Sequence, residues 1–368
     1  MKITVTTENL LSGLRRVMNI ISSNLANPIM NNFLLEADND KLVITGVDME
    51  MRNNTDVQAL VFIPGRITLP GKKFFQIISA LPSGDINLET NDDDPELVLL
   101  SCQKSSYKIY GLSASGYPET EEFVEDWSFS MPVKELVSAL SKVSYARSED
   151  EARVALNGIL LSVRAGMLTV AATDGRRLAL VEKVLPEGSN PGREGDVIIP
   201  YKTVVELMKS LSLSQTVKIN LTSSTAVFET PDTSIVTKLS DGVYPNYRSV
   251  IPDNFSQKVA MPRVEFSDVL NRVSLVLSNS SSAINFDIAS SEMVVWAKSR
   301  EYGEAREPLD VSLDGEPISI AFNPEYFLEP LKYLECDQLI MKFNDNSTPV
   351  ALCGDEGFLY ILMPMRNV

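Results

Sequence analysis

The stretch TENLLSGLRRVMNI, residues 7–20, places Leu10, Leu11, Leu14, Val17 and Met18 at three- and four-residue intervals. That spacing describes a helix with one apolar stripe to bury and one polar face left for solvent or a partner. The pattern returns twice. VKELVSALSKVSYA, residues 133–146, carries Leu136, Val137, Leu140 and Val143 in the same arrangement. VEFSDVLNRVSLVL, residues 264–277, carries Phe266, Val269, Leu270, Val273 and Leu277. Alignment of Leu14, Leu140 and Leu270 gives offsets of 126 and 130.

The offsets recur outside these helices. Alternating segments that end at Asp48 and at Asp174 lie 126 apart. A second helix follows a strand in each copy, in ITLPGKKFFQIISAL (67–81), VIIPYKTVVELMKSL (197–211) and IAFNPEYFLEPLKYL (320–334). Pro70 and Pro200, 130 apart, suit helix starts, where no N–H is needed. Tyr117-Pro118 and Tyr244-Pro245, 127 apart, close the first two copies. Repetition at a fixed period decides an architecture before any single element does. The sequence predicts an α+β fold of three repeated domains, 1–126, 127–256 and 257–368, each with two helices packed on β-sheet.

Composition narrows the chemistry. The chain has 368 residues, 33 basic against 49 acidic side chains, a net charge of −16 and no histidine. Triads, metal sites and proton shuttles that need imidazole are therefore excluded. Cys102, Cys336 and Cys353 form no CxxC pair and suggest reduced thiols in the cytoplasm. No apolar run approaches the roughly 18 residues of a membrane span, so no membrane partner is expected. A P-loop fails because five residues separate Gly65 from Gly71, and GLSASG (111–116) misses the G-x-S-x-G spacing by one. Asp92-Asp93-Asp94 before Pro95 reads as a solvated turn. No cofactor, metal or catalytic residue is expected. A hydrolase using carboxylates alone, or a monomeric scaffold, are the rival classes.

Against the acidic total, cations repeat on the polar helix faces. Arg16, Lys142 and Arg272 share one aligned position, with Arg15 and Arg147 nearby; Lys72, Lys202, Lys209 and Lys332 lie on the second helices. This predicts a positive surface for a polyanion, without the aromatic or zinc devices of base-specific readout.

TDGRRLA (173–179), VYPNYRSVIP (243–252) and YILMPMR (360–366), in that order over the threefold repeat, resemble the bacterial DNA sliding-clamp family, the β subunit of DNA polymerase III. The resemblance implies clamp topology and a head-to-tail homodimeric ring around duplex DNA, gripped without sequence specificity. It also implies a non-catalytic role in tethering the replicative polymerase. Partner peptides with Leu and Phe anchors, from the polymerase α subunit, the clamp loader and other polymerases and repair proteins, would enter a pocket. Its matching residues are Leu156, Thr173, Gly175, Arg176, Arg177, Leu178, Pro245, Val250, Ile361, Leu362, Met363, Pro364, Met365 and Arg366. Residues matching the family's dimer interface are Lys73, Tyr107 and Ile109 on one side, with Val276 and Leu277 on the other. Arg176 and Ser249 stand where relatives often carry His and Arg. Taken alone, Asp174-Gly175 also reads as an ordinary hairpin turn.

Overall fold

A computed structural model of the chain describes residues 1–21, 27–119, 123, 126–189, 193–212, 215–278 and 283–365. The three repeated helices span Thr7–Val17, Val133–Val143 and Arg263–Ser274; the second set spans Gly71–Ala80, Tyr201–Ser210 and Glu325–Leu331. Their expected stripes are buried at Leu10, Leu14 and Val17, at Leu136, Leu140 and Val143, and at Phe266, Val269, Leu270 and Val273. Leu11, Met18, Val137 and Leu277 flank these stripes and stay partly exposed. The first helix starts where the Thr6 hydroxyl accepts from the Asn9 N–H at 3.2 Å. Gly13 lies so close to the sheet that a Cβ would meet Val57 at 2.4 Å, so only glycine lets this helix settle.

The chain divides into two compact units. One comprises Met1–Val137, Pro186–Gly192 and Lys202–Leu239; the other comprises Ser138–Leu185, Arg193–Tyr201 and Ser240–Val368. The central repeat supplies strands to both. In the first unit an eight-stranded sheet joins four strands of the central repeat to four of the first, through antiparallel pairing of Thr233–Lys238 with Met51–Gln58. In the second unit a nine-stranded sheet joins the central and last repeats through Phe358–Leu362 on Arg177–Val184. A five-stranded sheet in the first unit ends at Ser105–Tyr110, and a four-stranded sheet in the second ends at Gly303–Asp310.

Each unit has its own core. In the first, Leu10, Leu14, Phe33, Phe74 and Ile78 are fully buried in one cluster. In the last repeat Phe266, Phe286, Phe322 and Phe327 pack with ring centroids 5.0–5.7 Å apart. No helix among the described residues is long and apolar enough to cross a membrane. No group of His, Cys, Asp or Glu among them could hold a metal ion.

Candidate functional site

The Met167–Thr173 and Arg177–Val184 strands meet at a turn whose backbone is held largely by its own side chains. The Asp174 carboxylate accepts from the Arg176 and Arg177 N–H groups at 2.8 and 3.0 Å. The Thr173 hydroxyl accepts from the Gly175 N–H at 3.1 Å and donates to the Arg177 carbonyl at 2.6 Å. Gly175 takes φ 89°, a left-handed value that glycine adopts without steric cost. The Tyr244 hydroxyl accepts from the Thr173 N–H at 3.0 Å, and its burial raises its pKa. The hairpin reading and the pocket reading are thus compatible: this ordinary turn forms a wall.

Behind it lies a cavity of about 510 Å³, walled by Thr173, Gly175, Arg176, Arg177 and Leu178 from the hairpin. Ser249, Val250, Ile251 and Pro252 add a second side, and Pro349, Ile361 and Met363 a third. Val250 and Met363 are half exposed at the rim, apolar surface open to a partner. Eight of the expected pocket residues line this cavity; Leu156, Pro245, Leu362, Pro364 and Met365 do not. Strand alternation explains Leu362, which is fully buried on the face opposite Ile361 and Met363. The Met365 N–H leaves the sheet to bond the Ala321 carbonyl at 2.7 Å. Leu156 sits half-buried in the short Val154–Asn157 turn of helix, and Pro245 is exposed. Arg366 lies outside the described residues. The motif VYPNYRSVIP already contained Ile251 and Pro252. Pro349 carried no signal, because only the sheet brings it there.

Arg177 organises the wall. Its Nε donates to Asp174 at 3.0 Å, one Nη donates to Glu329 and the other to the Tyr145 carbonyl at 2.8 Å. The guanidinium lies 4.6 Å from the centre of the Tyr326 ring. Burial disfavours its charge, but Tyr360 and Glu329 outweigh burial and raise its pKa.

The aligned basic position differs from the expectation of a bare polar face. Arg16 pairs with Asp232 at 2.6 Å, Lys142 pairs with Asp355, and Arg272 holds Glu307 through Nη2 at 2.6 Å and Nε at 3.0 Å. The Lys142 and Asp355 side chains are each only 12 % exposed, so Lys142 is a structural cation. Helical spacing could not reveal these acids, 216 residues from Arg16 and 35 from Arg272, because strand pairing and turns bring them there. Arg147 stacks 3.7 Å over the Tyr201 ring, and Lys202 pairs with Asp48. Arg15, Lys72, Lys209 and Lys332 are exposed. Lys73 and Tyr107 are exposed, Ile109 is buried, and Val276 and Leu277 are partly buried.

Three family models match in order: DNA polymerase III beta subunit, N-terminal domain over residues 1–121, central domain over 130–246 and C-terminal domain over 248–366. The chain belongs to the DNA polymerase III beta subunit family. The beta sliding clamp of Caulobacter vibrioides is 30% identical over 374 residues, with all of both chains covered. That of Chlamydia muridarum is 29% identical over 366 residues, covering 100% of this chain and 99% of the relative. A solved sliding clamp of Pseudomonas aeruginosa, bound to griselimycin, matches with a TM-score of 0.93 at 26% identity over 100% of both chains. The fold is therefore the three-domain clamp fold. The chain is a DNA sliding clamp, a non-catalytic processivity factor for DNA polymerase III. The enzyme and monomeric-scaffold alternatives give way to it.

Proposed function

We propose that two copies close head to tail into a ring that duplex DNA threads, with domains 1–126, 127–256 and 257–368 repeated around it, in the cytoplasm. One observation carries this reading. Both internal repeat junctions pair the last strand of one repeat with the fourth strand of the repeat before it, Thr233 opposite Thr55 and Phe358 opposite Val181. The corresponding strands left over are Ser105–Tyr110 and Gly303–Asp310, each at a sheet edge. Registers within the sheets make Ser105 the counterpart of Thr233 and Phe358, and Glu307 that of Thr55 and Val181. Repeating the junction between copies puts Ser105 opposite Glu307, Ser106 opposite Arg306 and Lys108 opposite Glu304. An exposed edge is a template for pairing, and a junction repeated between copies is heterologous and closes into a ring where the rotation permits. Lys73, Tyr107 and Ile109 would flank one side of this seam, Val276 and Leu277 the other.

The cations divide by task. Exposed Arg15, Lys72, Lys209 and Lys332, helped by Arg147, supply a diffuse field for the DNA backbone, to which Lys202, paired with Asp48, adds less. Arg16, Lys142 and Arg272 are neutralised by their acids and add less. Contacts of this kind are salt-sensitive and sequence-independent, which suits a ring that slides. The cavity behind Asp174 receives the Leu and Phe anchors of partner peptides from the polymerase, the clamp loader and repair proteins. Each buried anchor contributes about 1.5–3 kcal/mol. Ring and threading are tested together on nicked circular DNA: the protein should stay on the circle and leave once it is linearised. Equal retention on both forms would refute threading.

A further inference from the structure

Arg176 and Arg177 are the only charged residues on the cavity wall among the described residues, yet their electrostatic situations differ. The Arg177 side chain is 9 % exposed, and two carboxylates, Asp174 and Glu329, surround its single positive charge. Its donors are directed into the protein, so it has no net charge to offer a ligand. Arg176 is exposed, and what holds it is backbone: its N–H bonds Asp174 at 2.8 Å and its carbonyl accepts from the Met363 N–H at 3.3 Å. No acid pairs with its guanidinium among the described residues. The rigid turn thus presents an uncompensated guanidinium beside the apolar wall of Leu178, Val250, Ile361 and Met363, in a chain of net charge −16.

We infer that Arg176 is a specificity-determining residue of this pocket: it reads an acidic side chain placed next to the apolar anchors of an incoming peptide. Arg177 is a positioning residue that holds the wall in shape. The inference rests on the cavity being the partner-peptide pocket. A planar guanidinium suits a carboxylate through paired N–H donors. At an exposed rim such a pair is screened, so it tunes the choice between peptides more than it sets affinity.

The test measures fluorescence polarisation of the full chain with two labelled peptides, identical in their Leu and Phe anchors and carrying either Asp or Asn between them. The unmodified protein should bind the Asp peptide about 3-fold more tightly at low salt, from the usual strength of exposed ion pairs. That preference should fade at high salt as screening shortens the interaction range. Arg176→Gln should equalise the two peptides, whatever affinity change it causes in both, and an unchanged Tm shows that its fold is intact. Arg177→Lys should weaken both peptides alike. A preference that survives Arg176→Gln, or one lost only in Arg177→Lys, overturns the inference. Equal binding of both peptides by the unmodified protein also overturns it and leaves the pocket reading standing. No binding of either peptide overturns both.

Discussion

The internal repeat junctions and the two outer strand edges use opposite charge arrangements. At the internal junctions a cation on the repeated helix meets an acid on a hairpin turn of the next repeat, Arg16 with Asp232 and Lys142 with Asp355. At the outer edges the turn that corresponds to Asp232 carries Lys104, and Arg272 is held by Glu307 on its own neighbouring strand. An internal-type pairing at that edge would set Lys104 against Arg272. With Glu307 between them, the same backbone pairing works with the polarity reversed. Lys142 and Asp355 lie nearly enclosed at their junction, whereas a seam formed by the proposed pairing would keep its charges at the surface.

The comparison breaks most sharply at the edge itself. Glu304→Lys with Glu307→Lys should weaken the dimer by about 100-fold or more, since like charges across an interface cost several kcal/mol. Light scattering should then give a mass near 40.6 kDa instead of twice that. Adding Lys104→Glu and Lys108→Glu should restore the dimer; failure of that rescue would show that the register is wrong.

Next in size is the internal pair. Lys142→Met leaves the Asp355 carboxylate largely enclosed without its cation and should cost about 1–3 kcal/mol, seen as a fall in Tm of several degrees. Arg272→Met, at an exposed position, should leave Tm unchanged. Equal effects of the two would remove the distinction between junction and seam.

The same pair makes a smaller pH effect. Burial works against the Asp355 charge, but its bonds with Lys142 and with the Cys336 and Glu335 N–H groups prevail and lower its pKa. A carboxylate depressed in the folded state stabilises fully above its unfolded value, near 4, and that stability is lost as pH falls through the depressed value. The acid-side decline in Tm should therefore be shallower in Asp355→Asn. Arg15→Gln with Lys332→Gln is expected to be smallest: dimer mass unchanged, and a DNA-binding salt slope lower by about 2.

Much of this was legible in the sequence because it is local and periodic. The helix stripes, the repeat offsets and the Asp174-Gly175 turn depend on neighbours within a few residues. Motif likeness further supplied Arg177, Ile361 and Met363 on the cavity wall. What escaped depends on sheet register. Register carries Pro349 to the cavity, turns Leu362 into the core and delivers Asp232 and Asp355 to helices far upstream. No helical spacing can report a partner supplied by another strand's turn.

A covalent bond across the seam tests the threaded ring most directly. Ser106→Cys with Arg306→Cys should yield a dimer linked by disulfides under mild oxidation. Once closed on nicked circular DNA, that dimer should withstand molar salt and leave only when the DNA is cut. Absence of the cross-link, or salt-resistant binding that outlasts linearisation, would contradict a ring formed by these two edges.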